Sequence, residues 1–339
     1  MLFCETCRHG VTNSGPLRGR VNYSSRNIYD LLNYVLSLRG GPWLCNLQAM
    51  NFCQGPDPNT KKPNFIAPPN ACDAHCHIFG PAAKFPFAEG RTYTPPDSPF
   101  EAFQDLQNTL GLSRAVIVQA TCHGTDNTVT LDAIERSGGR YRGVAIVDET
   151  FTEDQFRKMD QGGIRAVRFS FARHIGNAPD FSLVQKVVEK IAPLGWHLVL
   201  YMEAADIVEN ADTLKSLPVP VVIDHMGRVQ TKNGIGQDAF QLLLGLLRER
   251  DDFWVKICGA ERISSHGFPY HDAVPFAQAL IGVAPDRVLW GTDWPHPNIE
   301  GLMPNDGDLM DLLPLYTSDE DVLEKILVTN PGNLYGFDN

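Results

Sequence analysis

The chain has 339 residues, 43% of them apolar, and its 29 Lys or Arg against 40 Asp or Glu give a formal net charge of −11. That length fits one large α/β domain or two ordinary ones, and the acidic balance argues against nucleic-acid or anionic-membrane partners, which require clustered Lys and Arg. No apolar run approaches the roughly 18 residues of a membrane span, and the start lacks signal-peptide order, so a cytoplasmic protein is expected.

Residues 1–65 stand apart, with seven Lys or Arg against three Asp or Glu and a breaker-rich end, GPDPNTKKPNFIAPPN. A boundary is therefore expected there, with 1–65 as an N-terminal extension and 66–339 as the folded domain. Cys4 and Cys7 form a C-x-x-C, but Cys45 and Cys53 do not supply a second one. Reduced thiols are the better reading than a zinc site.

From Cys72 onward, eight β-rich apolar runs alternate with segments of helical period: CDAHCHIF, RAVIVQA, RGVAIVD, GIRAVRFSF, HLVLYME, PVVIDH, FWVKICG and RVLWGTD. Between them, segments such as FSLVQKVVEKIA and FQLLLGLLRER space apolar residues three and four apart, as amphipathic helices do. Near-continuous apolar strands need both faces covered, so the repeat predicts a closed (β/α)8 TIM barrel. A doubly wound open sheet is the runner-up, but no G-x-G-x-x-G or G-x-x-x-x-G-K-[ST] follows any strand.

In such a barrel the chemistry sits at the C-terminal strand ends. The first run carries His75 and His77, two residues apart and hence on one side of a strand. A lone pair of this kind reads as core or surface histidine. The sixth run adds His225 and the eighth adds Asp293, and together the four match a catalytic zinc site that keeps one position for water. Strand-end arginines, Arg168, Arg173, Arg228 and Arg262, suit a small anionic substrate because guanidinium forks onto paired oxygens. Tyr93, Thr121, His123, Tyr201, His296 and Asn298 are further polar groups near strand ends, each weak alone. No G-x-S-x-G elbow occurs, which argues against a serine nucleophile.

The stretches DAHCHIFGP, VIVQATCHGTDN, VIDHMGR, GTDWPHPN and LVTNPGNLYGF resemble the lactonase branch of the amidohydrolase superfamily, which includes 2-pyrone-4,6-dicarboxylate lactonase and 4-sulfomuconolactone hydrolase. The likeness spans about residues 64–337. It implies a (β/α)8 barrel that opens a small anionic lactone during bacterial breakdown of aromatic compounds. It casts Asp293 as general base and His75, His77 and His225 as its partners. It further implies substrate contacts from Tyr93, Tyr201, Arg168, Arg228, Arg262, His296 and Asn298. Thr121 stands where the pyrone lactonase has serine, and His174 where it has a carboxylate-gripping arginine, with Arg173 one position earlier. These departures favour the muconolactone type. One divalent ion, zinc by preference, is implied at His75, His77, His225 and Asp293, with metal-free catalysis as the alternative. The rival functions are a metal-dependent decarboxylase or lactone isomerase on the same barrel, and a non-catalytic binder of aromatic acids.

Overall fold

The computed structural model describes residues 52–176 and 178–337, with the side chain of His174 left undescribed. Cys4, Cys7 and Cys45 lie outside these residues. Eight parallel strands follow one another in strict sequence order around a barrel. They are β1 (Cys72–Cys76), β2 (Arg114–Val118), β3 (Tyr141–Ala145), β4 (Ile164–Ser170), β5 (His197–Tyr201), β6 (Val221–Ile223), β7 (Phe253–Lys256) and β8 (Val288–Leu289). All eight predicted runs contain a strand, and each strand ends before its run does.

The helices between strands bury one stripe each. Phe181–Ile191 starts where the Asp180 carboxylate accepts from Ser182 N, and it buries Val184, Val187, Val188 and Ile191 against the sheet. Burying each such side chain stabilises by roughly 1.5–3 kcal/mol, so a charge at Val187 would break the contact. Inside the barrel, Cys72, Ala74, Val116, Val118, Val144, Ala166, Val199, Val222 and Leu289 pack as one cluster. This is the filled interior expected of eight strands.

The barrel closes between β1 and the segment after β8. Ala74 N donates to Trp290 O at 2.9 Å, Asp293 N to His75 O at 2.7 Å and His77 N to Trp294 O at 2.8 Å. Gly291 permits this approach, since a Cβ there would collide with the backbone of His75. The register of β1 shifts between Asp73 and Cys76. Ala74 accordingly belongs to the inner cluster, while Cys76 joins the outer one. Simple alternation from Ala74 would turn His75 and His77 outward, and this bulge turns both inward, as bulges beside active sites do.

Residues 52–65 run against the barrel. Cys53 N donates to Thr94 O at 3.0 Å. Lys61 Nζ lies 2.6 Å from Asp308 Oδ1, and Asn64 N donates to Asp311 Oδ1 at 2.6 Å. Among the described residues no helix is long and apolar enough to cross a membrane.

Candidate active site

The loops at the strand ends hold an unusual backbone. Asp293, His225, Met226, Arg228, His296 and Asn298 all have φ between 49° and 65°. That left-handed region costs an L-residue with a Cβ about 1–2 kcal/mol, and its clustering marks positions that the surroundings enforce. The strain sits where β6 and β8 end.

Asp293 is the hub. Its Oδ1 lies 3.4 Å from His77 Nε2, 3.5 Å from His75 Nε2 and 3.9 Å from His225 Nε2. Its Oδ2 accepts from Arg262 Nε at 2.5 Å. All four site residues are buried. Burial alone would raise the Asp293 pKa, but the Arg262 guanidinium outweighs it and holds the carboxyl well below its usual range. Burial, reinforced by the Lys256 charge, lowers the His75 pKa to about 3, and burial likewise lowers that of His225. Both rings are neutral near pH 7. His77 Nδ1 lies 2.7 Å from the Val118 carbonyl oxygen and donates its proton there, which orients the ring with Nε2 toward Asp293.

A second network lies beneath. Arg168 forks onto Asp224 Oδ2 through Nε and Nη2, both at 3.0 Å. Lys256 Nζ, with the residue fully buried, stands 3.2 Å from Asp224 Oδ1 and 3.0 Å from His75 Nδ1. Asp73 pins the bulge: its carboxylate accepts from His75 N, Thr292 N and Thr292 Oγ1.

A narrow pocket opens onto this floor, lined by His77, Tyr93, Thr121, Arg168, Ile175, Tyr201, His225, Arg262, Asp293, Pro297 and Asn298. Thr121 Oγ1 donates to Tyr93 Oη at 3.3 Å, and the Arg168 guanidinium lies 4.8 Å from the Tyr201 ring centre. Cys53 Sγ, 3.3 Å from Asn298 Oδ1, brings the N-terminal segment to the rim. A larger depression on the outer helices, around Glu149, Lys186 and Lys190, holds exposed charge pairs and lies away from the strand ends.

Other candidates from the sequence are not among the residues that line this pocket. Arg228 donates to Tyr201 Oη at 2.5 Å and holds that ring in place. His123 is buried among Phe79 and Phe87, its Nδ1 3.3 Å from the Pro86 carbonyl oxygen. His296 is fully buried, with Nε2 3.0 Å from Asp306 Oδ1 and Nδ1 3.9 Å from Glu261 Oε1. Burial opposes its charge, yet the Asp306 carboxylate prevails and raises its pKa. Arg173 is exposed, away from the cavity lining, and the side chain of His174 lies outside the described residues.

Sequence reading missed Lys256, Asp73 and Glu261. A lysine closing the apolar run FWVK was the available signal, because a buried strand has no other use for a charge.

The donor set fits a divalent cation. A tetrahedral site with bonds of about 2.0–2.1 Å has ligand–ligand edges of about 3.3 Å. The 3.4 and 3.5 Å separations match, and they exceed aligned N–H···O distances. His75 Nε2 has no hydrogen-bond partner, and His75, His77 and Asp293 group closely enough to share an ion.

Residues 72–337 match the amidohydrolase family model named Amidohydro_2. The chain is 42% identical over 285 residues to a 2-pyrone-4,6-dicarboxylate hydrolase of Comamonas testosteroni, covering 82% of this chain and 93% of that protein. It is also 42% identical over 287 residues to a 4-sulfomuconolactone hydrolase of Hydrogenophaga intermedia, covering 84% and 94%. A solved structure from Acinetobacter baumannii, named a probable 2-pyrone-4,6-dicarboxylic acid hydrolase and holding citric acid, superposes with a TM-score of 0.69 at 27% identity, covering 79% of this chain and 100% of that one.

Proposed function

The chain belongs to the amidohydrolase family, and on that premise we propose that it hydrolyses a small anionic lactone, opening the ring by attack of water on the lactone carbonyl. The observation that carries the reading is Asp293, ionised and facing three imidazoles on the cavity floor. The relatives named for 2-pyrone-4,6-dicarboxylate and 4-sulfomuconolactone hydrolysis support it.

The roles follow from geometry. Arg262 and Arg168 stand on the cavity wall as the cationic groups for a carboxylate or sulfonate. Arg168 spends Nε and Nη2 on Asp224, which leaves Nη1 for the substrate. Asp293 Oδ1 takes a proton from the attacking water as the new C–O bond forms. The ring C–O bond then breaks, and Asp293 returns that proton to the departing oxygen. A carboxylate held this low is a weak base, so the carbonyl must be strongly polarised for the step to proceed. The imidazoles on the floor face the reacting centre and supply that polarisation.

A bound divalent cation, zinc by preference, would be held by His75, His77, His225 and Asp293, and would supply Lewis-acid polarisation and a more acidic water. Offering the purified protein both lactones, with and without chelator, tests substrate and metal dependence together. Ring opening of either, with uptake of one water in the product mass, is the expected result. Binding without turnover, release of carbon dioxide, or a product of unchanged mass would sink the reading.

A further inference from the structure

The segment after β8 reaches the pocket without regular structure of its own. Between Leu289 and Asp306 it contains neither helix nor strand, yet it carries Asn298, which lines the pocket and has φ 62°. A left-handed residue with a Cβ persists only where its surroundings hold it. One hold comes from the pocket wall, where Arg262 Nη2 donates to the Pro297 carbonyl oxygen at 3.2 Å. The other comes from residues 53–65, which lie alongside. Cys53 Sγ donates to Asn298 Oδ1 and Gln54 Nε2 to Gly301 O, both at 3.3 Å. Lys61 N donates to Asn305 Oδ1 at 3.0 Å, while Asn305 Nδ2 donates to Asp57 Oδ2 at 2.8 Å and Asn59 O at 3.0 Å. Asp311 Oδ1 then accepts from Asn64 N at 2.6 Å and Phe65 N at 2.9 Å. Through all of these bonds the partners stay 244–248 positions apart, so the two segments run parallel and in step. Gly307 shows how close the fit is: its φ lies outside the left-handed region, but a Cβ there would collide with the Lys61 carbonyl oxygen.

At its start this strap also touches a second pocket loop, since Cys53 N donates to Thr94 O at 3.0 Å, next to Tyr93. Partial burial raises the Cys53 pKa against the Asn298 backbone N–H that faces the sulfur, so the thiol stays protonated near pH 7 and can donate. With Oδ1 taken by that thiol, Asn298 has its Nδ2 donors left for the pocket. We propose that residues 53–65 are a positioning strap that sets Asn298 beside Arg262, so that its side-chain amide and the guanidinium together hold the anionic group of the substrate. The identity of that substrate rests on the lactone hydrolysis proposed above. The hold of the strap on the loop does not.

The test uses the full chain and a substitution away from the pocket. Gly307→Ala suits a helix but pushes the Lys61 carbonyl away. Hydrogen exchange measured by mass spectrometry is expected to speed up in residues 298–311 and to stay unchanged in the barrel strands. KM for the lactone should rise about tenfold, the size of one hydrogen bond to a charged group. The anionic group keeps its charge through the reaction, so kcat should change little. Asn298→Ala should raise KM to a similar extent, and adding Gly307→Ala to it should raise KM no further, because the strap acts through Asn298. At the other end, Cys53→Ser, which keeps a donor, should recover most of the affinity that Cys53→Ala loses. Unchanged exchange in Gly307→Ala overturns the inference, and so does a KM effect that persists in full when Asn298 is already alanine. If Gly307→Ala does not fold, Cys53→Ala takes its place in the same cycle. If wild type opens no lactone, the proposed reaction fails, and the cycle is read instead from calorimetric affinity for benzene-1,3-dicarboxylate, an anionic ring with no ester bond. Wild type binding it no more tightly than Asn298→Ala would then overturn the strap's role as well.

Discussion

Two layers of the same barrel interior, one residue pair apart along the strands, have opposite chemistry. The lower layer is made of small apolar groups such as Val116, Ala166, Val199 and Val222. The upper is a buried ionic lattice of Arg168, Asp224, Lys256, Arg262 and Asp293 around three imidazoles. The lower layer gains stability from transfer out of water, and it tolerates change in proportion to volume. The upper layer gains little net stability from its ion pairs, because desolvation offsets their attraction, but it fails badly when one partner is removed. The fold thus concentrates its fragile interactions where a reaction needs fixed charges.

The sharpest break between the layers is at Asp293. Asp293→Asn keeps the shape and removes the base, so kcat/KM should drop by at least about 10³-fold, near 4 kcal/mol of transition-state stabilisation. Thermal unfolding should remain cooperative, with a lowered midpoint because Arg262 is left buried without its carboxylate partner. Retained ring opening would remove Asp293 from its role. The low pKa also predicts that the acid limb of kcat/KM lies below about pH 4, the usual aspartate value, so acidifying from pH 8 to 5 should not switch Asp293 off. A steady-state pH profile checks this.

One step down, Asp224→Ala should reveal what the lattice costs. It leaves Lys256 and Arg168 buried without their carboxylate, a loss of about 3–5 kcal/mol read from denaturant unfolding. Val116→Ala in the lower layer should cost only about 2 kcal/mol, for two methylenes and partial collapse of the space, with kcat unchanged. Equal losses for the two variants would erase the distinction between the layers.

The sequence carried the lower layer and the strand ends more fully than it carried the lattice. Strand count and order were legible because burial on both faces leaves near-continuous apolar runs, and His75, His77, His225 and Asp293 stood out as polar residues ending such runs. What period-two reasoning could not supply was the bulge at β1, a backbone event with no residue of its own. It was right about His75 and His77 sharing a side, yet Ala74 shares it too. His296 and Arg228, expected from the sequence among substrate contacts, are held in the structure by Asp306 and Tyr201. Position along a loop does not tell which way a side chain turns when φ is positive.

The smallest expected effect separates the floor from the rim. Asp272, in the segment after β7, is partly exposed and accepts from Ser264 Oγ, Thr231 Oγ1, Ser265 N and His266 N. Partial burial works against its charge, but these four donors prevail and depress its pKa. A carboxyl depressed in the folded state stabilises the fold above its unfolded value of about 3.9, and the contribution is lost as pH falls through the folded pKa. Asp272→Asn should therefore cost about 1 kcal/mol at pH 7, discounted for solvent screening at the rim. The gap to wild type should narrow steadily as the pH is lowered below about 4. Urea unfolding of both proteins at pH 7 and pH 3 measures it. A gap that is independent of pH would mean that the rim is held by hydrogen-bond shape alone, and that fixed charge matters only on the floor.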